Sequence, residues 1–74
     1  MKPTQIIRLL LDSMDMHAFD RNALSRAIRN GRKAITVESL RYWTNSANKH
    51  AERVAASEER VAMFFLRLWE GVAA

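Results

Sequence analysis

The sequence predicts an all-α protein, organised as a small four-helix domain containing a helix-turn-helix unit. Apolar residues recur at three- and four-residue spacing along most of the chain, and helix start and stop residues punctuate it at intervals. No run of alternating polar and apolar residues marks a strand. With 74 residues, 49% of them apolar, the chain reads as one domain spanning 1–74, near the lower size limit for a self-supporting core.

The first helix is expected over about 4–14. Ile6, Ile7, Leu10, Leu11 and Met14 share one side, and Gln5, Arg8, Asp12 and Asp15 the other. Thr4 is placed to cap its start. Asp12 and Asp15 would oppose the negative end of the helix dipole, so the helix should stop near Met14. A second helix is expected over about 21–30. Asp20 suits its N-cap, and Phe19 is placed to pack on Leu24 as a hydrophobic staple. Leu24, Ala27 and Ile28 form its buried stripe, and Gly31 suits the left-handed position past a helix end.

The third helix starts at Val37 behind Thr36 and runs to about 55, with Leu40, Trp43, Ala47, Ala51 and Val54 as its apolar stripe. Ser57 followed by Glu58 and Glu59 then predicts a break at 55–57 and a fourth helix over about 58–70, ended by Gly71. One unbroken helix over 37–70 is the alternative, because the four-three spacing from Ala47 to Val72 is interrupted only by Glu58. Val61, Phe64, Phe65, Leu68 and Val72 make the inner stripe of the last helix. Met63, Leu66 and Trp69 lie largely outside it, so this is read as a C-terminal association helix and a homodimer is expected through those three residues.

Net charge is +4, and its placement is uneven. Between 21 and 33 stand Arg21, Arg26, Arg29, Arg32 and Lys33 with no acid, a cluster that favours a polyanionic partner. A solvated helix face would also account for it. There is no cysteine, which suits a reducing cytoplasm, and the longest apolar run, "VAMFFL", is far short of a membrane span. The N-terminal segment reads as a domain helix, since Arg8 and Asp12 interrupt it and no small-residue cleavage site follows.

Enzyme activity is not expected. His17 and His50 are far apart in sequence, and Asp12, Asp15 and His17 are better explained as a helix-end turn than as a metal site. Gly31 and Gly71 are isolated, so no phosphate-cradling loop is present, and the serines lack a marked base. Neither a cofactor nor a metal is expected.

Residues 21–49 read as helix, turn, helix: "RNALSRAIRN", "GRKAI", then "TVESLRYWTNSANK". This resembles a helix-turn-helix DNA-binding regulator of phage or plasmid type, and "TVESLRYW" is similar to the recognition-helix start of MerR-type regulators. Thr44 follows where the MerR pattern has a Glu, and no winged segment follows, so the resemblance implies DNA docking without effector sensing. It implies that Arg41 and Asn45, one turn apart, reach base edges, while Ser39 and Tyr42 touch phosphate or a thymine methyl. Arg26, Arg29, Arg32 and Lys33 would neutralise phosphates of double-stranded DNA, with Lys49 and Arg53 marginal and Trp43 in the core. The expected function is a cytoplasmic, sequence-specific transcriptional regulator of a phage or mobile element. The rival expectation is a small helical inhibitor or adaptor, of antiactivator or anti-CRISPR type, that docks on a host protein.

Overall fold

The computed structural model describes residues 2–73, and the side chains of 2–71. The described residues form two helices and not four: α1 over Pro3–Arg32 and α2 over Val37–Ala73. A turn over 33–36 returns the chain on itself, so the helices run antiparallel as a hairpin. The four-helix domain expected from the capping residues is therefore absent.

Three of the expected boundaries fall inside continuous helix. Between Met14 and Asp20 no proline or glycine interrupts the backbone, and α1 continues through Asp12 and Asp15. Asp20 does not cap a helix and is itself buried, while Phe19 is 72% exposed and forms no staple. Ser57, the expected start of a fourth helix, is 3% exposed in the middle of α2. Its hydroxyl donates to the Val54 carbonyl at 3.0 Å, which satisfies it within one unbroken helix. Gly31 lies in the last turn of α1 with no left-handed backbone, and α2 runs past Gly71.

The physical reason is a packing repeat that outweighs the local capping cues. In α1, Ile6, Leu10, Ser13, His17, Asp20, Leu24, Ala27 and Gly31 are all buried or half-buried, at alternating spacings of four and three. In α2 the matching set is Trp43, Ser46, His50, Val54, Ser57, Val61, Phe64 and Leu68, with one four-four step around His50. That is a seam between two helices in coiled-coil fashion, and the four-four step at His50 is a stutter that locally unwinds it. A break at either serine or aspartate would divide the seam and lose its far half. Val61, Phe64 and Leu68 lie on the inner stripe of α2 as expected, but Phe65 lies outside it at 62% exposure. The expected burial of Val72 lies outside the described side chains.

Real start signals do hold at the helix ends. Pro3 takes the first helical position of α1, where its missing N–H costs nothing, and the Gln5 side chain accepts the Lys2 N–H at 3.1 Å. Thr4 is already helical and so is not the cap. Thr36 caps α2 as expected, its Oγ1 accepting the Ser39 N–H at 3.1 Å.

The molecule measures 56 × 14 × 13 Å. A 37-residue helix is about 55 Å long, so both helices lie along the long axis. The radius of gyration is 16.6 Å, where about 11 Å describes a compact chain of this length. The structure is a rod one helix deep and two helices wide.

Candidate functional site

The hairpin removes the helix-turn-helix unit. Residues 21–32 are the end of α1 and 37–49 the start of α2, packed along one axis, whereas a groove-reading pair crosses at about 90–120°. What survives is the chemistry of the tip where the two helices meet.

Residues 21–49 hold Arg21, Arg26, Arg29, Arg32, Lys33, Arg41 and Lys49 against the single acid Glu38. This segment is net +6, and the rest of the chain is net −2. The hairpin gathers that charge into one end of the rod. Arg26, Arg29, Arg32, Lys33 and Arg41 are all exposed there. Arg29 and Arg32 sit in the last turn of α1, where they also offset the negative end of its dipole. Arg26, Lys33 and Arg41 have no such duty within the chain.

The DNA-contact candidates on α2 divide. Arg41, Tyr42 and Asn45 are exposed, and Tyr42 stands edge-on to Trp43 with ring centroids 4.9 Å apart. Tyr42, Asn45 and Lys49 line one shallow hollow, so Lys49 joins the candidates more closely than its sequence position indicates. Ser39 is half-buried and lines a different hollow, shared with Lys33 and Trp43 at the turn. Trp43 is half-buried against Gly31, as its place on the apolar stripe predicts.

The association candidates also divide. Met63, Leu66 and Trp69 are all exposed, but the apolar groove on the end of α2 is lined by Val61, Ala62, Phe65, Leu66 and Trp69, beside Glu58. Met63 is not part of it. Sequence reasoning missed Phe65, by giving it to the core, and missed the α1 residues Ile7, Leu11 and Met14, all exposed. The available signal was a second four-three stripe, Ile7, Leu11, Met14 and Ala18, one position beside the first.

Inside the seam, polar side chains replace much of the core. Among the described residues, Ser13, Asp20 and Ser57 are buried alongside only Ile6, Leu10 and Ala27. The Ser57 hydroxyl gives its proton to the Val54 carbonyl, so His17 Nδ1–H donates to Ser57 Oγ at 3.0 Å. His50 Nδ1 is buried with no partner. Among the described residues no group of three His, Cys, Asp or Glu side chains could hold a metal, and no helix is long and apolar enough to cross a membrane.

Comparison with known proteins adds no relative: no family model, no curated protein and no solved structure matches the chain. The class is therefore set by architecture alone, a two-helix hairpin with a cationic tip and an apolar flank.

Proposed function

We propose that the chain is a small DNA-binding protein that grips the phosphate backbone with the tip of its hairpin. One observation carries this reading: a charge of +6 concentrated within residues 21–49, with Arg26, Arg29, Arg32, Lys33 and Arg41 exposed at one end of the rod. Phosphate contact needs only such a cluster, not a crossed helix pair. Sequence preference, and with it any role in regulating transcription, would rest on Arg41 and Asn45 on the outer side of α2.

The two layers fail differently. Binding to a random duplex, followed by anisotropy across a salt series, should weaken with Arg29→Ala or Lys33→Ala, and the salt slope should shrink by about one unit per lost phosphate contact. Arg41→Ala and Asn45→Ala should instead relax preference among sites, at roughly 1–3 kcal/mol per lost base contact. No binding to duplex at low salt would discard the reading.

A second reading is supported by a separate observation, the exposed apolar flank of Ile7, Leu11, Met14, Phe65, Leu66 and Trp69. It is a helical adaptor or inhibitor docking on another protein. Retention of function in a host after the tip cations are neutralised would favour it.

A further inference from the structure

We propose that the apolar flank is the contact with a second copy of this chain, the two hairpins lying side by side and antiparallel. The exposed surface is 6116 Å², against about 4,650 Å² for a compact monomer of this mass. The excess, roughly 1,500 Å², exceeds the about 800 Å² per partner that a stable interface covers. Two helices cannot enclose each other's flanks, so the missing layer has to come from outside the chain.

The two flanks of the rod differ. On one, α1 contributes Ile7, Leu11, Met14 and Ile28, and α2 contributes Leu40, Ala47, Ala62, Phe65 and Trp69. Helical spacing puts these on the same side of both helices, and the groove that joins Ile28 to Leu40 and Ala47 confirms it at the tip. On the other flank α2 presents Lys49, Arg53, Arg60 and Arg67, which would repel their own copies. Self-packing belongs to the first.

Shape and charge then fix the orientation. Near the tip the flank is hollow, a groove bordered by Ala27, Gly31 and Ala47. Near the termini it carries the largest projections, Phe65 at 62% and Trp69 at 63% exposure. Measured from the His17–Ser57 layer, Phe65 and Trp69 lie about 12–18 Å toward the termini and the groove about 15–21 Å toward the tip. A twofold axis through that layer brings each copy's aromatic pair over the other's groove. A parallel pairing would face aromatic against aromatic and hold two +6 tips together, within reach of an unscreened field at ordinary salt. The antiparallel pairing keeps the two +6 tips apart and sets each beside the partner's terminal end, where Lys2, Arg8 and Arg67 stand against Asp12 and Glu70 for a net charge of only +1.

This inference does not depend on nucleic-acid binding, and its test contains none. Sedimentation equilibrium of the full chain should give a dimer, twice the 8.5 kDa chain mass. Phe65→Glu should shift it to monomer with helicity retained by circular dichroism, since Phe65 is exposed within its own chain. A spin label on Ile35→Cys, at the fully exposed turn of this cysteine-free chain, should report tip-to-tip separation on the otherwise unaltered protein. Antiparallel hairpins of 56 Å place the labels about 50 Å or more apart, and parallel ones within about 25 Å. A monomer at hundreds of micromolar overturns the proposal and leaves the flank to a different protein. A dimer with close tips overturns the orientation, and a dimer indifferent to Phe65→Glu overturns the face.

Discussion

The seam between the helices and the flank beside it invert the usual division of residues. Inside, the chain buries Ser13, Asp20 and Ser57 with Ile6, Leu10 and Ala27, and no side chain among the described residues is fully enclosed. Outside, it leaves Phe19, Phe65, Leu66 and Trp69 in contact with solvent. Small polar residues at the seam let the helices approach closely. The one side-chain hydrogen bond joining the two helices among the described residues, His17 to Ser57, spans forty positions and pins their register. Polar groups at seam positions specify register at a cost in stability. The contrast teaches that the hairpin obtains its alignment from the inner surface and keeps most of its hydrophobic free energy in reserve on the outer one.

The largest test of that contrast sets one apolar residue from each surface side by side. Leu10→Ala should destabilise the protein by about 2–4 kcal/mol, because it empties one of the few apolar sites of the seam. Phe19→Ala, which removes a larger side chain lying outside both the seam and the proposed contact flank, should change stability by about 0.5 kcal/mol or less. Urea denaturation at a fixed chain concentration makes the comparison, the concentration being held because association adds to apparent stability. Equal costs would mean that Phe19 is covered in the assembled protein and that the flank choice is incomplete.

Next in size is the orphaned imidazole. His50 Nδ1 is buried without a partner, and an unsatisfied buried polar group costs about 1–3 kcal/mol. His50→Leu should therefore raise the unfolding midpoint, an unusual gain from deleting a polar contact position. Ser57→Ala should lower it, by leaving His17 Nδ1–H without its acceptor. If both substitutions destabilise, His50 has a partner in the assembled protein, and the seam is more completely satisfied than the single hairpin indicates.

Much of this architecture was legible in the residues, though not its count of helices. All-helical content, the Thr36 cap and the half-burial of Trp43 followed from spacing and capping chemistry. The false breaks at Asp20 and Ser57 share one cause: Asp and Ser favour helix starts when exposed, yet here they occupy the inner stripe. The false stop at Met14 has another: Asp12 and Asp15 lie exposed in the interior of α1, far from the negative end of its dipole. Reading Ser13, His17, Asp20 and Ser57 as seam residues requires accepting a polar core, which composition does not announce. The misplacement of Phe65 follows from the same point. With Ser57 read as a cap, the stripe of the last helix takes in both neighbouring phenylalanines, adding Phe65 to Val61, Phe64 and Leu68, which do face inward. The basic cluster was located correctly as a cluster, and its gathering into one end of a rod could not be seen until the helix-turn-helix geometry gave way to a hairpin.

The smallest effect separates the two conformations considered for Gly31. As a left-handed residue past a helix end, Gly31 would lose stability on replacement by alanine, because a Cβ disfavours that backbone by about 1 kcal/mol. As observed, Gly31 lies in the last turn of α1 with ordinary helical backbone, and a Cβ built on it would meet Trp43 Cβ at 3.4 Å, an ordinary contact. Alanine then restricts the unfolded chain and adds a little packing against the indole, without strain. Gly31→Ala should stabilise the protein by about 0.5–1 kcal/mol. It should also fill part of the groove proposed to receive Phe65 and Trp69 of a second copy. Stability of the hairpin should accordingly rise while the dimer dissociation constant rises with it. Thermal melts of Gly31→Ala in the monomeric Phe65→Glu background isolate the first effect, and sedimentation of Gly31→Ala alone reads the second. A loss of stability in that monomeric background would restore the left-handed assignment and shorten α1 by its last turn.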